Sequence, residues 1–272
     1  NIVLAVILMA IIGVVLVGGI KRIGEVTEFM VPVMSIIYIA ACLAVIVVNI
    51  TRVPAVFGMI FQGAFSPAAV TGGAAGVGVK MCITWGVKRG VFSNEAGLGS
   101  APIAHAATSE TNPVKQGLYG IFEVFMDTIV ICTLSGLTLL LALDGSTLNY
   151  GVEGTTSLNA LALGTVFGNK AGALIIAIGL SLFALSTVLS WGLYGTRCWE
   201  YLLGEKAVKP YQIIFTLVVI ISATMDLSLA WAIADTLNGL MAIPNLIGLL
   251  LLCPVVFKMT REYFDSERRL RK

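Results

Sequence analysis

Charge is scarce in this sequence, and histidine nearly absent. Charged residues make up 12% of the 272 positions and there is one histidine, His105. Ordinary globular chains carry about 25% charged residues. The near-absence of histidine removes the usual general base and the commonest metal ligand. The five cysteines, Cys42, Cys82, Cys132, Cys198 and Cys253, sit apart in apolar runs with no metal-site or disulfide spacing and read as small hydrophobes. No nucleophile–base pair and no glycine loop followed by Lys-Ser/Thr is present, so the chain does not read as an enzyme. A net charge of +2, with basic residues lying between apolar runs, gives no basic face for nucleic acid. The sequence has no signal-peptide n-region and no initiator methionine. Asn1 leads directly into an apolar run, so the chain reads as a segment of something longer.

What is present is length without charge. Hydrophobic residues reach 58%, the mean hydropathy is +0.96, and the windows Ile2–Ile20, Phe29–Thr51, Val53–Val79, Ala171–Thr196 and Thr236–Phe257 contain no charged residue. About 20 apolar residues suffice to span a bilayer as a helix. The expected architecture is therefore an all-α, polytopic membrane helix bundle forming one transmembrane domain over 1–272. Seven crossings are expected near 2–20, 29–50, 72–108 (broken), 116–143, 170–203, 210–225 and 228–257, with 258–272 as a basic tail. Residues 54–70 read as a short helix lying on the membrane face, and 144–169 as a long outer loop. Lys/Arg counts place the segments carrying Lys21-Arg22, Lys115, Arg197–Lys209 and the tail on the cytoplasmic side, and hence the C-terminus too.

The apolar pattern is interrupted at specific places. Residues 88–102, KRGVFSNEAGLGSAP, crowd Gly, Ser, Asn and Pro around Glu95. Unwound backbone survives at membrane depth only where it lines a cavity or is buried in protein. Two readings stand on composition: a broken span whose freed N–H and C=O groups receive a ligand, or a cytoplasmic turn. In 170–203, Ser186 and Thr187 are adjacent hydroxyls, and Thr187 and Trp191 share a face at a spacing of four. With the Phe183 carbonyl they make an oxygen set suited to a hard cation such as sodium. Alternatively they bond back to their own helix or join neighbouring helices. Glu123 and Asp127, also four apart on one face, fit a proton or cation relay, but read rather as salt-bridge partners for Lys115 or Arg197. Asp235, Thr236, Asn238, Pro244 and Asn245 mark a polar, kinked helix that reads as a gate or packing element.

Four stretches together carry a resemblance: GVKRGVFSNEAGLGSAPIAHAA, FALSTVLSWGLYGTRCWEYL, GGIKRIGEVTEFMVPVMSIIYI at 18–39 and ADTLNGLMAIPNLIGLLLL at 234–252. They resemble the alanine/glycine:cation symporter family, and the similarity runs along essentially the whole chain. The resemblance implies a LeuT-type inverted-repeat fold of which this chain supplies core helices four to ten. The first three would lie in an N-terminal half of the same protein, since the family's Gly-Thr-Gly-Asn-type first core helix has no counterpart here. It implies sodium-coupled uptake of a small neutral amino acid, alanine or glycine, across a bacterial or archaeal plasma membrane. Phe92, Ser93, Asn94, Glu95, Thr187 and Trp191 would then serve the substrate, and Phe183, Ser186 and Thr187 the sodium ion. The rival expectation is a helical membrane scaffold or channel without transport.

Overall fold

The structure, a computed structural model, describes residues 2–65, 74–143 and 155–270. All regular secondary structure among the described residues is helical, with no strand among them. In chain order the helices are α1 (Ile2–Val17), α2 (Gly19–Val48), a 3-10 turn (Ile50–Arg52), α3 (Val53–Phe65), α4 (Ala74–Asn94), α5 (Ala101–His105), α6 (Pro113–Phe125), a π-helical turn (Met126–Ile131), α7 (Cys132–Ala142), α8 (Thr155–Phe167), α9 (Asn169–Leu203), a 3-10 turn (Glu205–Ala207), α10 (Val208–Ser222) and α11 (Leu227–Leu270). Among the described residues, four stretches are long and apolar enough to cross a membrane: Lys21–Val48, Pro113–Ala142, Asn169–Leu203 and Leu227–Ser266.

Three elements differ from the sequence expectation. The charged stretch 21–28 belongs to α2, because Gly19, at φ +71°, makes the turn from α1 and the helix restarts at once. Residues 155–167, expected in a loop, form α8. That stretch contains LNALALGTVF, apolar enough to bury a face. The basic tail continues α11, a helix of 44 residues and so about 66 Å long, against roughly 30 Å of hydrocarbon. Residues 66–73 and 144–154, which carry part of the expected third crossing and of the outer loop, lie outside the described residues.

The chain divides into two compact units, Asn1–Thr84 with Val130–Thr224, and Trp85–Ile129 with Met225–Lys272. The first unit is built by close approach of small residues, as lipid-embedded helices require. Gly172 of α9 meets α8 so closely that an added Cβ would lie 2.9 Å from the Ala160 carbonyl oxygen. Gly192 accommodates Leu16 and Phe215, and Gly13 lies against Thr216. Ile12, Val15, Leu16 and Ile23 pack with Leu189 and Leu193, and a second cluster joins Ala41, Val45, Leu163 and Ile176. Buried Gln212 donates to the Leu16 carbonyl (3.2 Å), and Arg52 donates to that of Leu141 at the end of α7 (2.9 Å). Each buried polar atom so paired avoids a cost of about 1–3 kcal/mol.

In the second unit the C-terminal half of α4, α5, α6 and α11 carry most of the polar side chains that pair across elements. The π-turn, which contains Asp127 and Thr128, interrupts an otherwise continuous helical run from Pro113 to Ala142 and shifts its register.

Candidate functional site

The second unit holds Phe92, Ser93, Asn94 and Glu95. Here α4 stops at Asn94 and helix resumes at Ala101. Three of the five residues 95–99 are left-handed: Glu95 at φ +54°, Gly97 at +90° and Gly99 at +85°. Glycine takes this geometry at no steric cost, whereas Glu95 needs neighbours that hold it there. Those neighbours are present. Ser100, 1% exposed, donates its hydroxyl to Glu95 Oε2 at 2.5 Å. Asn94 Oδ1 accepts from the Ala96 N–H (2.9 Å), and the Leu98 N–H reaches back only three residues, to the Glu95 carbonyl (3.1 Å). Leu98 is buried and anchors the turn. An added Cβ on Gly99 would lie 2.9 Å from Asn245 Oδ1, so α11 approaches the break beside Pro244 and Asn245.

The last turn of α4 is tied to the π-turn. Ser93 donates to both carboxylate oxygens of Asp127, each at 2.9 Å, and Asn94 Nδ2 donates to Thr128 Oγ1 at 2.9 Å. Phe92 packs on Trp231, with ring centroids 5.1 Å apart. Asp127 and Glu123 therefore do not take the partners expected of them. Lys115 pairs with Glu110 at 2.8 Å and Arg197 with Glu200 at 2.6 Å, both close in sequence, while Glu123 meets His105 at 3.1 Å. His105 ends α5 and bridges Glu123 and Gln116.

The first unit holds Phe183, Ser186, Thr187 and Trp191, all on α9. Ser186 Oγ and Thr187 Oγ1 both donate to the Phe183 carbonyl at 2.9 Å, so the bond back to their own helix is made. Three oxygens thereby converge on one turn. A hydroxyl that donates to a carbonyl keeps its lone pairs, so the convergence leaves acceptors for a cation. Ser186 is buried and Thr187 exposed. Trp191 is half-buried and packs edge-on to Tyr194 with centroids 5.8 Å apart. An open groove of about 570 Å³ nearby, lined by Leu8, Ile12, Ala184, Leu185, Val188 and Val219 among others, is largely apolar and does not suit a zwitterion.

The two sets of expected site residues thus fall in different units, each internally ordered by its own hydrogen bonds. Sequence reasoning missed these pairings. Thr128 gave no signal, because its partner Asn94 lies 34 residues away. Asp127 was visible as an intramembrane carboxylate, but its partner lies 34 residues away. The Lys88–Asp235 pair, 2.6 Å apart, joins two positions that were read separately. No cluster of three His, Cys, Asp or Glu side chains suited to a metal ion occurs among the described residues.

Comparison with known proteins adds an independent line. The sequence matches the sodium:alanine symporter family over residues 1–272. It is similar to the sodium/alanine symporter AgcS of Methanococcus maripaludis, 47% identical over 254 residues covering 93% of this chain and 55% of that protein. An uncharacterized transporter of Haemophilus influenzae is 44% identical over 262 residues, covering 96% and 57%. The probable sodium/glutamine symporter GlnT of Bacillus subtilis is 36% identical over 266 residues, covering 97% and 54%. The chain spans about half the length of the curated relatives it matches.

Proposed function

The chain belongs to the sodium:alanine symporter family, a family of transporters and not of enzymes, and from that premise we propose that it supplies part of the binding site of a sodium-coupled transporter for a small neutral amino acid, alanine or glycine. The observation that carries the proposal is the break in α4 at residues 95–100, where three left-handed residues open the backbone between two helical stretches. Such a break costs stability in lipid unless its backbone groups meet a ligand or protein.

In this reading Phe92, Ser93, Asn94 and Glu95 serve the substrate, with freed backbone N–H groups for its carboxylate and carbonyls or Glu95 for its ammonium. Thr187 and Trp191 also serve the substrate, the indole limiting side-chain size. Sodium takes the Phe183 carbonyl with the hydroxyls of Ser186 and Thr187. Asp127 and Thr128, which hold the last turn of α4, position the break. The architecture is the LeuT-type inverted repeat, with this chain as core helices four to ten and the C-terminus cytoplasmic. The remainder of the site belongs to an N-terminal half of the protein. Coupling follows if sodium and amino acid favour the same closed state, since each then raises the other's affinity by the same factor.

The test is alanine uptake by the full-length protein in proteoliposomes under an inward sodium gradient. Uptake is expected only with sodium, and the Ser186→Ala/Thr187→Ala variant is expected to lose most of it. Wild-type uptake by that variant removes both hydroxyls from the proposal. Absence of any uptake supports instead a non-transporting helical scaffold or channel.

A further inference from the structure

Six residues before α4 ends at Asn94, about 9 Å along the helix, stands a cluster that the substrate and sodium sets do not use. Lys88 Nζ lies 2.6 Å from Asp235 Oδ2 on α11 and makes a close ion pair. Arg89 shares it only at longer range. Its Nη1 is 3.8 Å from Asp235 Oδ1, beyond hydrogen-bonding distance, and is buried with no acceptor. The guanidinium is held nevertheless, lying 4.1 Å from the Trp231 ring centroid and 5.1 Å from that of Trp85. Lys88 Nζ is 5.0 Å from the same Trp85 ring. Two indoles thus fix the plane of the guanidinium while its Nη1 makes no hydrogen bond.

The charge count points the same way. Two cations face one carboxylate, so the cluster carries one uncompensated positive charge. Asp235 lies in a stretch long and apolar enough to cross a membrane, where ionisable groups are costly without a partner and mark ligand pathways. Nη1 of Arg89 is buried, but the side chains of Lys88 and Arg89 as a whole are 38% and 36% exposed, so an incoming group can reach part of each. The missing piece is a singly charged, planar acceptor able to take two parallel N–H bonds, which describes a carboxylate. Trp231 also packs against Phe92, which connects the cluster to the first residue assigned to substrate.

We propose that Lys88, Arg89 and Asp235, framed by Trp85 and Trp231, form a docking site for the carboxylate of a small amino acid ahead of the break. Arg89 takes the carboxylate through the accessible part of its guanidinium. Asp235, held by Lys88, offers its remaining acceptor positions to the ammonium. The inference rests on the transport reading for the identity of its ligand, though not for the existence of a carboxylate site.

The experiment uses full-length protein without sodium, probed with propionate (the carboxylate alone), alanine methyl ester (the ammonium alone) and inorganic phosphate. A saturable rise in melting temperature is expected with propionate and not with the ester or phosphate, and Arg89→Gln abolishes it. In uptake assays Arg89→Gln is expected to raise KM for alanine about tenfold, the loss of a charge-assisted bond, with the maximal rate recovered at high alanine. Should that variant fold poorly, Arg89→Lys keeps the charge and loses the fork, and is expected to raise KM about threefold. An unchanged KM in either folded variant overturns the proposal, as does a propionate shift that survives Arg89→Gln. A shift with phosphate equal to that with propionate overturns the carboxylate assignment. If the unmodified protein moves no alanine but shows the Arg89-dependent propionate shift, the transport reading falls and the docking site is supported.

Discussion

At the scale of single residues, the break is set by backbone geometry that side chains then lock. Gly99 sits at φ +85°, and a Cβ there would lie 2.9 Å from Asn245 Oδ1. Gly99→Ala is therefore expected to destabilise the full-length protein by about 1–2 kcal/mol, from a left-handed L-residue plus the displaced amide. Thermal unfolding checks this, and an unchanged melting temperature contradicts the geometry. Outside the spans, Lys115, and next the Asn112 N–H, hold the Glu110 carboxyl below the usual carboxylate range. A depressed carboxylate adds order above its ordinary range and loses it as pH falls through the folded value. Amide protection at Asn112, Val114 and Lys115, taken relative to the intrinsic exchange rate at each pH, should therefore fall on acidification through and below the ordinary glutamate range, and Glu110→Gln should remove that dependence. These residue-scale features were unequally legible. The Gly, Ser, Asn and Pro crowding of 93–102 announced a break, because those residue types are poor helix formers wherever they cluster. The Ser186–Thr187 pair was visible, but whether the hydroxyls bond back to α9 depends on their rotamers, which sequence does not encode. Lys115 and Arg197 took acidic partners five and three residues away, because neighbours on one segment need little chain ordering to meet. Glu123 and Asp127 were left to long-range partners that no local pattern names.

At the scale of elements, helix contact replaces hydrophobic collapse as the organising rule. Gly172 of α9 faces the α8 backbone, which cannot move aside as a flexible side chain can. Gly172→Ala is expected to cost about 1–3 kcal/mol, whereas Gly179→Ala, with open space around it, should stay within about 0.5 kcal/mol of wild type. Equal melting temperatures for the two variants would contradict the α8–α9 packing. The missed elements share one cause. Charge marked 21–28 and 258–270 as loops, yet a helix that outruns the hydrocarbon carries charge readily once it reaches water. Polar flanks masked α8, whose Leu163 is fully buried against α2 and α9. The π-turn was invisible, since no residue type specifies it and its register shift becomes apparent only when Asp127 and Thr128 find Ser93 and Asn94.

At the scale of the molecule, the family matches over the full chain while the relatives run to nearly twice its length. The all-helical class was legible from charge scarcity alone, and the transporter class from four motifs. The pairing of sodium with substrate is the claim on which the account depends, since it gives the break in α4 and the hydroxyl pair of α9 a common purpose. The most direct measurement is the melting temperature of the full-length protein in alanine titrations run in sodium and in choline. The account predicts a saturable rise in sodium larger than the sodium-independent rise seen in choline, and no such sodium-dependent excess for Ser186→Ala/Thr187→Ala. A rise of equal size in choline, or survival of the excess in that variant, would contradict it.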